Sequence, residues 1–192
     1  MLPVVIGAGC LLLGGSLSLW RAASELSQKG RISVLTFLAA FIAYAGLGLS
    51  VFAAAWYSYW PIPIATGSAS PLGGSLALVG AIVYIAARLQ FRSFRLTWGL
   101  AADRLVTTGV YRLSRNPQLV GWGLLLLGVA VVGRSGAALL LATMFWASCL
   151  LSVPLEERAL VRSYGAAYEA FRSSVPRFLG LPRGGAARIA SR

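Results

Sequence analysis

This sequence contains no histidine, only two cysteines and only five acidic residues. Without imidazole, and with Cys10 and Cys149 each inside an apolar run, no zinc-type ligand set is at hand and no disulfide framework is indicated. Charge of either sign is scarce: 11% of residues are charged, against roughly a quarter in soluble domains. In its place stand 58% hydrophobic residues and a mean hydropathy of +0.76. A soluble fold of 192 residues would not hide that much apolar surface. The net charge of +12 comes from basic residues set between apolar runs, not clustered among polar ones. They read as determinants of membrane topology, and nucleic acid is not an expected partner. The first apolar run lacks the basic leader and small-residue cleavage site of a signal peptide, so it reads as a retained helix.

Apolar runs long enough for a bilayer fall at Leu2 to Trp20, Ile32 to Trp60, and a third ending near Gln90 after a Pro, Gly and Ser-rich turn from Pro61 to Gly74. The second ends in Trp56, Tyr57, Tyr59 and Trp60, an interfacial aromatic cluster. Two shorter runs, Gln118 to Gly133 and Gly136 to Val153, flank Arg134 and predict a helical hairpin, with a break at Pro154. The expectation is an all-α membrane protein of about five transmembrane helices, with a C-terminal helical hairpin and a cytoplasmic amphipathic helix. Placing the N-terminus outside puts sixteen of the seventeen basic residues in the cytoplasm and leaves Arg134 alone outside, as the enrichment of Lys and Arg in cytoplasmic loops requires. Gly7, Gly9, Gly14 and Gly15 in the first run have no strand before them, so they read as close helix packing, not a dinucleotide fingerprint.

Two blocks on the expected inner face carry polar residues. The first runs from Leu105 through Gly109, Tyr111, Arg112, Arg115, Asn116, Pro117, Gln118 and Gly121 to Trp122. Pro117 suits the first position of a helix, whose free N–H groups attract a carboxylate or phosphate, with Arg112 and Arg115 adding charge. Arginines beside a span also anchor in headgroups, and Asn-Pro is an ordinary helix start. The second block runs from Leu155 to Phe178. On one helix, Glu157, Val161, Tyr164, Tyr168, Phe171 and Val175 share a stripe about 80° wide. Glu156 lies to one side of it. An acid pair at the start of an interfacial helix complements the helix dipole. A carboxylate turned toward the membrane-buried side, however, is costly unless it meets a cation.

In order and spacing, the two blocks resemble the superfamily of integral membrane methyltransferases that includes isoprenylcysteine carboxyl methyltransferase and the phospholipid N-methyltransferases. The elements are Gly109-Val110-Tyr111-Arg112, then Arg115-Asn116-Pro117-Gln118-Leu119-Val120-Gly121-Trp122, the hairpin, Glu156-Glu157, and Tyr164-Gly165-Ala166-Ala167-Tyr168-Glu169-Ala170-Phe171. The likeness covers roughly residues 100 to 180. It implies a fold that binds S-adenosylmethionine from the cytosol, releases S-adenosylhomocysteine, and meets a lipophilic or small amine, thiol or carboxylate acceptor through the lipid bilayer. Tyr111, Arg112, Arg115, Asn116, Pro117, Gln118, Gly121, Glu156, Glu157, Tyr164 and Tyr168 are the cofactor-binding candidates. In this scheme Glu157, with Glu156, neutralises the ammonium and the helix start at Arg115 to Pro117 takes the carboxylate. Tyr164 and Tyr168 enclose the adenosine.

The sequence departs from that pattern where Asn116 stands in place of His and Leu119 in place of Tyr. The prenylcysteine branch carries a basic residue shortly before the acid pair, whereas this chain reads Ser152-Val153-Pro154-Leu155, which counts against that acceptor. Residues 1–99 are expected to form the first three helices and a connector, 100–180 the cofactor-binding region, and 181–192 a basic tail. Two other readings stay open: a nicotinamide-dependent membrane reductase on a related scaffold, and a non-catalytic module binding anionic lipid through its basic inner face.

Overall fold

The computed structural model describes residues 1–29, 32–90 and 105–180. Part of the basic segment before Leu105, the boundary expected at 99/100 and the tail 181–192 lie outside the described residues. Helix α1 (Leu2–Gly9) passes through a π-helical stretch (Cys10–Gly15) into α2 (Ser16–Lys29). Then come α3 (Val34–Trp56), α4 (Thr66–Leu89), a 3₁₀ turn (Gly109–Arg112), α5 (Pro117–Val132), α6 (Gly136–Tyr164) and α7 (Ala166–Ser174). Four helical segments are long and apolar enough to cross a membrane: Leu2–Glu25, Val34–Trp56, Thr66–Leu89 and Gly136–Tyr164. The apolar α5 has 16 residues and is shorter.

Three boundaries differ from the expectation. The first helix does not stop at Arg21 but continues to Lys29, because Ala, Leu, Glu and Gln sustain a helix and no glycine or proline interrupts it. The third span begins at Thr66, not after the turn residues, and carries Pro71 inside it. The break foreseen at Pro154 does not occur. Helix α6 runs through Pro154 and ends at Gly165, whose φ of +54° suits glycine better than any L side chain. A proline inside a membrane helix forfeits one backbone bond, which neighbouring packing tolerates. Glu156, Glu157, Val161 and Tyr164 therefore belong to α6, and Tyr168 and Phe171 to α7, so the stripe read as one helix is divided between two.

The main core gathers Leu11, Leu47, Val51, Leu126, Leu141 and Phe145 from α3, α5, α6 and the first helix. Large apolar side chains such as Leu49, Leu78, Ile82 and Leu151 stay exposed, as lipid-facing surface requires. Helices α4 and α5 meet backbone to backbone. A Cβ on Gly80 would strike Leu125 N, one on Gly121 would strike Tyr84 N, and one on Gly128 would strike Ala77 N. Small residues allow this approach in membranes, where dispersion and close contact replace hydrophobic driving force. In the first helix Gly7 and Gly14 do pack closely, against Ser50 and Ala43 of α3, whereas Gly9 has nothing within 4 Å and Gly15 meets only Leu11 and Cys10 of its own helix.

The turns preceding α4 and α6 lie together at one end. Ile62 N–H donates to Arg134 O (2.9 Å), Gly136 N–H to Trp60 O (2.8 Å), and the Ser135 hydroxyl to Tyr59 O (2.7 Å). Arg134 sits in this closed end, away from the arginines that gather at the other.

Candidate functional site

The site is built where α5 begins, α6 ends and the chain leaves α7. Ahead of α5, the 3₁₀ turn requires Gly109 (φ +59°), against which the Gln90 carboxamide packs. Oriented to satisfy both groups, that amide donates to Thr108 O and accepts from Val110 N–H (3.2 Å). Gln90 thereby ties the end of α4 to the turn. Tyr111 is buried, and its hydroxyl accepts from Gln118 Nε2 (3.2 Å). Arg112 is exposed on the turn.

Pro117 occupies the first position of α5, as its sequence foretold, and is buried. No side chain caps this helix. Asn116, in the capping position, instead donates from Nδ2 to Arg177 O (2.9 Å), and its own N–H bonds Ser114 Oγ (3.0 Å). Arg115 N–H donates to Pro176 O (3.0 Å). The segment after α7 is thus laced across the start of α5 by side-chain and main-chain bonds.

Glu157 has the cation that burial of a carboxylate demands, and in fact two. It is 4% exposed. Arg177 grips both oxygens, Nε to Oε1 at 3.2 Å and Nη2 to Oε2 at 2.8 Å. Arg115 Nη1 approaches Oε1 at 3.0 Å. That approach is oblique, since neither Nε nor Nη1 of Arg115 has a hydrogen-bond partner among the described residues. The Tyr168 hydroxyl lies beside the same guanidinium.

Glu156 has no ion-pair or hydrogen-bond partner among the described residues. Its surface is accessible, yet protein surrounds it at longer range. It lies within electrostatic reach of Tyr44, Tyr111, Cys149 and Tyr168.

Tyr111, Val106, Tyr168, Phe171, Val175 and Ala87 form a second small core that walls this end, with Tyr164 packed at its margin. Gly121 lies apart from these polar groups, in the contact between α4 and α5. Sequence reasoning missed Arg177 and Gln90. The first had one signal, its place directly after Val175-Pro176.

Burial pushes the Tyr168 phenol up to about 12, with the charge of Glu157 adding to it, and burial raises Tyr111 in the same direction. Between about pH 10, the ordinary phenol value, and 12 the folded chain holds more protons than the unfolded one, so stability falls as pH rises. Below that window these tyrosines add no slope. Melting in detergent at stepped alkaline pH checks this, and Tyr168→Phe removes part of the slope.

An all-helical, multi-pass membrane protein with its polar residues converging at one end is the class that fold and site define. The chain belongs to the phospholipid methyltransferase (PEMT) family, whose model matches residues 68–167. The matched stretch holds nearly all of α4, the whole of α5 and α6, the first polar block and the second block only as far as Ala167, so Tyr168 and Arg177 lie beyond it. A curated relative, the protein-S-isoprenylcysteine O-methyltransferase of Schizosaccharomyces pombe, is 34% identical over 73 residues. That stretch is 38% of this chain and 31% of the relative, so the chain matches less than a third of the relative's length. No solved structure matches.

Proposed function

We propose that this chain transfers a methyl group from S-adenosylmethionine to a lipophilic or small acceptor carrying an amine, thiol or carboxylate, at the cytoplasmic face of a membrane. One observation carries the reading. Arg115 is buried with unspent donors at an uncapped helix start, and Glu156 offers a partnerless carboxylate at the same end of the molecule. Together they complement a zwitterionic amino acid, carboxylate to Arg115 and the first N–H groups of α5, ammonium to Glu156. Glu157 is already engaged by two arginines, so its part is to hold Arg115, not to meet the ammonium.

When bound, S-adenosylmethionine supplies a sulfonium methyl that passes to an acceptor lone pair, while the broken C–S bond's electrons return to sulfur and leave S-adenosylhomocysteine. The chain's contribution is alignment and exclusion of water. Tyr111, Tyr164 and Tyr168 wall the site, Gln118 fixes Tyr111, and Asn116 fastens the segment after α7 through Arg177 O. None of these acts requires an imidazole. The basic residues at this end, opposite Arg134, support a cytoplasmic placement with the N-terminus outside. Ser152, where the prenylcysteine branch has a basic residue, is buried and bonds Cys149 O (3.5 Å). That favours an amine or thiol acceptor over a prenylcysteine carboxylate.

Calorimetry of purified protein in detergent with S-adenosylhomocysteine is the test. Saturable binding is expected, weakened about tenfold or more by Glu156→Gln, the size of one charge-assisted hydrogen bond. Absence of binding in the natural sequence, or saturable binding of a nicotinamide cofactor in its stead, would overturn the reading.

A further inference from the structure

Glu157 faces more positive charge than it can neutralise. Two guanidinium groups meet one carboxylate, and one unit of charge is left over. How it is shared follows from geometry. Arg177 holds the forked position, with two hydrogen bonds to the two oxygens, the strongest arrangement these groups make. Arg115 is left the oblique contact. Its side chain is only 8% exposed, and its Nε and Nη1 donors are unspent among the described residues. Buried donors in that state cost free energy until something accepts from them. The side chain of Arg177, by contrast, is 42% exposed, so solvent serves its remaining donors. Of the two, Arg115 is therefore the one only partly compensated, held by a single oblique contact that leaves donors over.

We propose that Arg177 is a positioning residue of the candidate site: by occupying Glu157 in the fork, it keeps Arg115 free to grip the carboxylate of the cofactor. The inference rests on the methyltransferase reading above. Its physical content is competition. If the fork is vacated, Glu157 turns both oxygens to Arg115, which becomes neutralised and spent. The segment that carries Arg177 is held by bonds that do not involve its side chain: Arg115 N–H to Pro176 O, Asn116 Nδ2 to Arg177 O, and the Phe178 ring edge-on to Trp146 at 5.9 Å. A change of the Arg177 side chain therefore leaves the segment in place.

Two ligands separate this role from a general structural one. S-adenosylhomocysteine carries the amino-acid carboxylate, whereas 5′-methylthioadenosine shares the thioether and adenosine but lacks it. In Arg177→Gln, affinity for the first is expected to fall at least about tenfold and affinity for the second to stay unchanged. In Arg177→Ala, added guanidinium ion is expected to refill the fork and restore binding of S-adenosylhomocysteine. Equal losses for both ligands without guanidinium rescue would overturn the proposal in favour of a structural role. So would undiminished binding in Arg177→Gln alongside loss in Arg115→Gln, a result that leaves the methyltransferase reading standing. Failure of the natural sequence to bind S-adenosylhomocysteine would overturn both together.

Discussion

Leucine at Gly80 separates α4 from α5 and melts the protein far below its natural transition. A Cβ there meets Leu125 N and, at 2.7 Å, Gly121 O. Both are backbone atoms, which cannot swing aside as a side-chain tip does. Either the helices part along their whole contact or the new side chain is strained, and overpacking of this kind costs about 3 kcal/mol. The seam is equally tight farther along α4, since a Cβ on Gly73 would lie 2.7 Å from Gly128 O and from Val132 N. Gly74→Leu provides the control. It adds the same side chain to the same helix, but nothing lies within 4 Å of its Cβ. Thermal unfolding of the two variants in one detergent reads the difference, and equal melting temperatures would refute the account of α4 and α5.

Removing the charge of Glu157 is expected to cost about 3 to 5 kcal/mol, the usual result of leaving a buried ion uncompensated. Most of that belongs to Arg115, because Arg177 is partly solvated and its share is screened. Glu157→Gln should therefore unfold readily and lose S-adenosylhomocysteine. Breaking such a cluster is far more costly than replacing it, since an apolar pair of similar volume is often neutral or better. Glu157→Leu combined with Arg115→Met is thus expected to regain stability over Glu157→Gln while binding no cofactor. Melting and calorimetry on the three proteins check both halves. A double variant no more stable than Glu157→Gln would show that Glu157 does not stabilise the fold by compensating Arg115.

Much of this was legible in the residues. Pro117 marked the start of α5 because its missing N–H costs nothing there, and Glu157 could be singled out because an acid on an apolar stripe needs a cation. The identity of that cation was not legible. Arg177 lies twenty residues along the chain from Glu157, across the turn at Gly165, and no local pattern joins them. Pro154 misled for a related reason: proline ends helices in water, but in α6 buried neighbours such as Val153 and Glu157 keep the chain helical past it. Gly121 fell inside a motif and was read with it. Its spacing of seven from Gly128, matched by Gly73 and Gly80 on α4, was the signal that it serves helix contact.

The 16 residues of α5 span about 24 Å, short of the roughly 30 Å hydrocarbon layer. Helix α6 starts from the same turn and has 29 residues, so it rises well past the point where α5 gives out. Arg115 and Asn116 are consequently recessed, beneath the level at which α6 emerges. Because α5 is enclosed by its neighbours, with only Val132 exposed along it, this low polar end lies at the floor of the bundle and not against lipid. If the acceptor is an amphiphile, as proposed above, it has no need to climb out of the bilayer: its polar group descends a few ångströms while its chains remain in oil.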